Sequence, residues 1–257
     1  MAIDVEVSGA VATVTINRPE RLNALDAAHY EALGAAFIRV RDDPAIRCAI
    51  VTGAGAAAFC AGADIKDWLG REQPLAEIWQ TQQRPLLTRG IDLWKPVIAA
   101  VNGACVGGGM TLLMATDIRV ASRDAIFALP EGRRGIIPAN GGTQRILRQL
   151  PHAVGMKMLL TGDSMSSAEA ARWGLVNDVV EPDQVMAVAM DYARRIAAMA
   201  PLSTQAAKEL ALRSYDLTLD DGMRMEALAQ RALMGSRDAA EGRAAFAERR
   251  EPAFGGL

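Results

Sequence analysis

Aromatic side chains are scarce in this 257-residue chain, at 5%, although 51% of its residues are hydrophobic. A core built mainly from Ala, Val, Ile, Leu and Met suits a helix-rich α/β protein better than an all-β one. Cysteine is rarer still. Cys48, Cys60 and Cys105 stand apart, form no C-x-x-C pair and are odd in number. That excludes a disulfide framework and points to reduced thiols in a cytoplasmic setting. The two histidines, His29 and His152, lack metal-ligand spacing, and no H-E-x-x-H occurs, so no metal site is expected. Nucleophile elbows of the G-x-S-x-G type and Walker A lysines are also missing, which argues against serine hydrolysis and nucleotide hydrolysis. No apolar run approaches the roughly 18 residues of a membrane span. The opening MAIDVEVSGA has neither the basic region nor the apolar stretch of a signal peptide, so a cytoplasmic protein with no membrane partner is expected. A net charge of −2 without a long basic block gives no footprint for nucleic acid.

What the chain does contain is strand, helix and glycine in a recurrent order. Weak alternation over 4–16, split at Ser8-Gly9, predicts a β-hairpin. Asn23 and Asp26 offer caps for a helix over Ala27–Val40, with Leu33, Phe37 and Val40 at helical spacing. Cys48–Val51, Pro96–Val101, Ile118–Val120 and Ala125–Ala128 read as strands, with crossover helices between them and hence parallel or mixed pairing. Gly53–Gly62 reads as a small-residue loop, and Trp68–Arg89 as helix and loop with no strand. Beyond Pro138 the chain turns helical: Thr143–Leu150, Gly155–Leu160, Ser167–Trp173, Gln184–Ala200, Leu202–Ser214 and Leu219–Ala245. Ser166, Asp183 and Asp220 are the start signals, and only Val176–Val180 suggests a further strand. No internal repeat of fixed period is present.

Three segments carry candidate chemistry. Gly53-Ala54-Gly55-Ala56-Ala57-Ala58 follows an apolar run and fits the dinucleotide pattern G-x-G-x-x-A, but Gly62 and Asp64 interrupt it too early for a full helix. A plain strand-to-loop turn explains it better. Ala61–Lys66 has small residues that let backbone N–H groups approach a ligand, with Lys66 as a nearby cation, although a tight turn before a helix explains it equally. Gly107-Gly108-Gly109 lies between an apolar strand and Met110–Ala115. A helix beginning there aims free N–H groups and its positive dipole end outward, as an enolate or oxyanion requires. Close packing of the turn is the alternative. Glu131, after Pro130, is either a base or a solvated loop charge.

Taken in order, these segments resemble the enoyl-CoA hydratase/isomerase (crotonase) family over nearly the whole chain. The matching residues include Asn17-Arg18-Pro19 with Asn23-Ala24-Leu25, Ala61–Lys66, Lys95–Gly103, Gly107–Gly109, Pro130-Glu131, Gly135–Pro138, Gly141–Arg145, Trp173–Val176 and Glu241-Gly242. The resemblance implies an α/β spiral of ββα units, with a core over 1–195 and a helical trimerisation region over 196–257. It also implies a homotrimer or homohexamer. The implied ligand is an acyl-CoA thioester, with coenzyme A part of the substrate and no separate cofactor. By the same resemblance, the N–H groups of Ala63 and Gly108 hold the thioester oxygen, Ala61, Asp64, Ile65 and Lys66 lie along the coenzyme A, and Glu131 is the acid–base residue.

One position departs from the family's pattern. Family hydratases carry a second glutamate three residues after the oxyanion glycine, where this chain has Thr111. A hydroxyl can orient water but is far too weak a base at neutral pH, and a lost acid–base group costs about 10²–10⁴ in rate. A single carboxylate suits double-bond isomerases, and a glutamate with a hydroxyl partner resembles feruloyl-CoA hydratase-lyases. Phe127–Glu131 and Arg172-Trp173-Gly174 look more like carnitinyl-CoA dehydratases. The expected activity is therefore hydration or isomerisation of an enoyl-CoA, with isomerisation chemically easier for this constellation; a hydratase-lyase or dehydratase on a functionalised acyl-CoA, and simple acyl-CoA binding, are the alternatives. Arg133 and Arg134 would lower the pKa of Glu131 if they faced it, and Asn140 falls near the loop that orients water in family hydratases.

Overall fold

The computed structural model describes residues 3–68 and 85–257. Most of the helix and loop predicted over Trp68–Arg89 therefore lies outside the described residues. The hairpin pairs β1 (Ile3–Ser8) with β2 (Val11–Ile16), Ser8 opposite Val11. Its turn begins at Gly9, whose φ of 58° matches the left-handed first position of a two-residue hairpin loop. Helix α1 (Ala27–Asp42) follows, capped by the Asp26 side chain, which accepts from the His29 N–H.

Two sheets form the body. The larger has six strands in the order β1-β2-β3-β5-β7-β10, and the smaller has four in the order β4-β6-β8-β9. β3 (Cys48–Gly53), β5 (Val97–Val101) and β7 (Ile118–Ser122) run parallel in the large sheet, and β10 (Asp178–Val180) joins β7 in parallel. β4 (Ala58–Cys60), β6 (Ala104–Val106) and β8 (Ile126–Ala128) run parallel in the small one, with β9 (Met165–Ser166) antiparallel at its edge. Each large-sheet strand of the trio is thus followed directly by a small-sheet strand, which is the repeated unit of the spiral. The expected loop over Gly53–Gly62 is corrected accordingly: its small residues include β4, because the chain bends only over Ala54–Ala57 before it enters the second sheet.

β3 and β5 are buried along their whole length, as central parallel strands covered on both faces must be. Alternation sorts their residues between two cores. Ala49, Val51, Val97, Ala99 and Val101 face the main core with α1 and the small sheet. Cys48, Ile50, Ile98 and Ala100 face Val185, Ala189 and Ala193 of a later helix.

The helices after β4 are α2 (Ile65–Trp68), α3 (Gly108–Leu113), α4 (Gly142–Gln149), α5 (His152–Thr161) and α6 (Ser167–Arg172). Ser166 and Glu169 form a reciprocal capping box on α6. The chain ends in α7 (Val185–Ala197), α8 (Pro201–Arg213), α9 (Leu219–Met234) and α10 (Arg237–Glu248). The single helix expected over Leu219–Ala245 is two, because Ser236 caps a new start by accepting from the Ala239 N–H. Thr218 rather than Asp220 caps α9, and Asp183 sits in a one-turn 3₁₀ helix. No described helix is long and apolar enough to cross a membrane.

Candidate active site

The parallel strands β4, β6 and β8 are neighbours, so their C-terminal ends deliver three segments to one edge of the small sheet. Ala61–Ala63 leaves β4, Gly107-Gly108 leaves β6, and Leu129–Glu131 leaves β8. The Gly107 N–H donates to the Ala128 carbonyl at 2.9 Å, which locks the second and third segments together.

Close backbone approach explains the glycines. A Cβ on Gly62 would stand 2.9 Å from Gly108 N, and one on Gly108 would stand 3.5 Å from Ala63 N. A Cβ on Gly109 would overlap the Cys60 carbonyl. Gly62 (φ 94°) and Gly107 (φ 57°) also need the left-handed region. The amides of Ala63 and Gly108 therefore lie side by side, and neither donates to another described residue. Two adjacent free N–H groups, one at the start of α3, can receive one oxygen carrying developing negative charge.

Residues from the first motif hold the Ala63 side in place. Asn23 is fully buried, donates to the Ala54 and Ala58 carbonyls, and accepts from the Arg18 N–H. Arg18 pairs with Asp64 at 3.0 Å and with Asp26 at 3.4 Å. Leu25 and Asp64 complete the bracket through backbone hydrogen bonds at 2.8 and 2.9 Å, flanking Ala63 and leaving its N–H unused. The Asp64 carboxylate also accepts from the Lys66 N–H. Ala61 is half-buried, while Ile65 and Lys66 are exposed at the rim.

Glu131 opens a 3₁₀ turn over Glu131–Arg134. Its Oε1 would lie 3.4 Å from a Cβ on Gly107, and its Oε2 is buried without a hydrogen-bond partner. Burial pushes its carboxyl above the usual range, with the Glu131 backbone and Arg134 pulling back only weakly. Of the two arginines expected to lower this pKa if they faced it, Arg134 does pull it down, but burial outweighs it. Both arginines are exposed, and Arg133 turns away to the Thr161 carbonyl and Asp163. A buried, unpaired carboxylate with a raised pKa is the mark of a group kept for proton transfer.

Thr111 is buried on α3, and its hydroxyl donates to the Gly107 carbonyl at 3.2 Å. Its lone pairs remain for an incoming donor. Beside it is a cavity of about 20 Å³, room for a single water, lined by Tyr30, Thr88, Gly108, Thr111, Asn140 and Leu112 among others. Tyr30 belongs to none of the motifs singled out in the sequence and shares a face of α1 with Leu33 and Phe37. Its hydroxyl in fact stands 2.8 Å from where a Cβ on Gly108 would be, and burial, with Cys60 and Glu131, raises its pKa. Only its phenolic oxygen hinted at a polar destination.

The competing chemistries find no support in this geometry. Gly53–Ala58 leads into a strand, so no helix N-terminus follows to receive a pyrophosphate. The three cysteines are free and buried, and burial pushes the Cys48 and Cys60 thiols up to about 12. Among the described residues no cluster of His, Cys, Asp and Glu is arranged for a metal.

A family model described as "Enoyl-CoA hydratase/isomerase" matches residues 6–256. This chain belongs to the enoyl-CoA hydratase/isomerase family. A relative in the family, (E)-benzylidenesuccinyl-CoA hydratase of Thauera aromatica, is 44% identical, with all of both chains covered. Carnitinyl-CoA dehydratase of Proteus mirabilis is 42% identical over 96% of each chain. Among solved structures, enoyl-CoA hydratase of Mycobacterium tuberculosis superposes with a TM-score of 0.92 at 34% identity, covering 100% of this chain and 99% of its own. The crotonase fold is therefore that of this chain.

Proposed function

We propose that the chain reversibly hydrates an enoyl-CoA through an oxyanion-stabilised enolate, with Glu131 as the acid–base carboxylate. The observation that carries this reading is Glu131 Oε2, buried and unpartnered, on a carboxylate whose Oε1 lies against Gly107, the residue before the free Gly108 amide. In this scheme the N–H groups of Ala63 and Gly108 hold the thioester oxygen. Glu131 takes a proton from water as the water oxygen bonds to C3, and the displaced electron pair moves onto the thioester oxygen. The resulting enolate then recovers the proton at C2 from the same carboxyl, so one molecule of water is added overall. Ala61, Asp64, Ile65 and Lys66 border the coenzyme A, with Lys66 free to reach its phosphates. Asp64 serves there through its backbone, since its carboxylate is engaged by Arg18. Thr111 can accept a hydrogen bond from the reacting water but cannot take its proton.

The water-sized cavity at Thr111 and the hydratase and dehydratase relatives favour hydration. The single carboxylate favours a second reading, in which Glu131 carries a proton from C2 to C4 and shifts the double bond without water. Crotonyl-CoA and a 3-enoyl-CoA distinguish the two. Glu131→Gln is expected to lose about 10²–10⁴ in turnover. Thr111→Val, which keeps the shape, is expected to lose about tenfold in hydration, one hydrogen bond's worth, while C2 proton exchange persists. Undiminished turnover by Glu131→Gln would sink the proposal. Full hydration by Thr111→Val would remove the hydroxyl from it.

A further inference from the structure

The water-sized cavity does not end at Thr111. Thr88 and Asn140 line both it and a second, open cavity of about 630 Å³, which is bordered by Arg89, Arg145, Arg148 and Asp216. Among the described residues, three arginines and one carboxylate line this space. Asp216 is already drawn to Arg148 at 3.5 Å, and both side chains are exposed.

Arg145 is the informative member. It is half-buried, yet among the described residues no carboxylate pairs with it. Its guanidinium donates to two backbone carbonyls, Thr88 at 2.7 Å and Asn140 at 3.3 Å. Those bonds fix its plane at the junction of the two cavities and leave three of its five N–H donors. Gly141, at φ 92°, permits the position, because a Cβ there would overlap Arg145 Nη1. Arg89 donates to the Asn140 side chain at 2.8 Å and so sets the opposite wall. Burying a cation without a counter-charge is costly. Burial and the neighbouring Arg148 accordingly pull the Arg145 pKa down, a penalty that an anion supplied from outside would relieve.

We infer that the cavity at Arg89, Arg145 and Arg148 is a subsite for a carboxylate at the far end of the acyl group. The substrate class is then an enoyl-CoA with a distal acid. This rests on the proposed acyl-CoA reading, since Thr88 and Asn140 border both the cavity at Gly108 and Thr111 and the one at Arg145. A planar guanidinium with parallel free donors suits a carboxylate.

The test compares 2-hexenedioyl-CoA with its terminal carboxamide, a neutral isostere. Affinity is measured by titration calorimetry on the Glu131→Gln protein, and turnover on the active enzyme. The acid is expected to bind about 10- to 100-fold more tightly than the amide, with the margin shrinking at high salt. Arg145→Gln should reduce the margin to about threefold or less, and Arg145→Lys should restore part of it. Should Arg145→Gln melt early, Arg148→Glu, on an exposed side chain, reads the same margin in a folded protein. Equal affinities for acid and amide overturn the subsite, as does a margin unchanged in both arginine variants. A clear margin without turnover of either ester keeps the subsite and removes the hydration scheme. Equal binding with turnover of both does the reverse.

Discussion

At the scale of the residue, Glu131 sets function against stability. Its folded-state pKa is raised by burial, above an ordinary value of 4.5. A carboxyl that holds its proton more tightly when folded contributes stability below its unfolded pKa and loses it as pH rises through the folded pKa. Ionised Glu131 therefore destabilises the protein at neutral pH. Glu131→Gln should melt higher than the wild type at pH 7, and the gap should close as pH falls below about 4.5. Calorimetric melts at the two values check the sign. The acid limb of kcat/KM should likewise fall above the usual glutamate range, because Glu131 must be ionised to take a proton. Thr111 is the other decisive residue. It was legible in the sequence as a departure, but its back-bond to Gly107, which commits the hydroxyl proton, was not.

At the scale of the element, the site is the C-terminal edge of three short parallel strands. β4, β6 and β8 have three residues each, and two left little alternation to read. β4 was taken for loop because Ala58, Phe59 and Cys60 lie within a small-residue stretch. The glycine triplet was legible, and the structure divides its labour. Gly107 admits the carboxylate, Gly108 offers its amide, and Gly109 lets α3 touch the Cys60 carbonyl. Gly109→Ala should therefore be the most damaging of the three for folding. The added methyl would meet the Cys60 carbonyl and the Cys60 Cβ, neither of which can swing aside, so a loss of about 3 kcal/mol is expected from overpacking, measured by denaturant unfolding. Arg18 and Asn23 stood out in the sequence only as motif letters. Their work, bracing the Ala61–Asp64 loop, depends on partners up to 46 positions away.

At the scale of the molecule, the C-terminal helices are thinly covered. Neither α8 nor α9 buries a single residue, while Leu219 is 78% exposed and Phe246 88%. Lys208 ties α8 to the body through Asp117 at 2.7 Å and the Lys95 carbonyl. Such weakly covered apolar helices agree with the proposal that 196–257 mediates self-association. Light scattering is expected to give three or six copies, and Phe246→Glu is expected to shift the population toward smaller species. An unaltered mass would take Phe246 out of the interface.

The sequence by itself determined the family, the large-sheet strands and the identity of the acid–base candidate, because each rests on local pattern: apolar runs, glycine spacing and a motif order. It could not determine the pairing of strands into two sheets, since parallel ladders join residues far apart in the chain. Nor could it decide the state of the charges. Glu131 and Arg133 lie two residues apart, yet one carboxylate oxygen is buried without a partner and the other side chain is solvated. Arg145, an ordinary letter in a helix, becomes a half-buried cation only when Thr88 and Asn140 close around it. Burial and the dielectric it imposes belong to the assembled structure, and they decide which charged residues are left with chemistry to do.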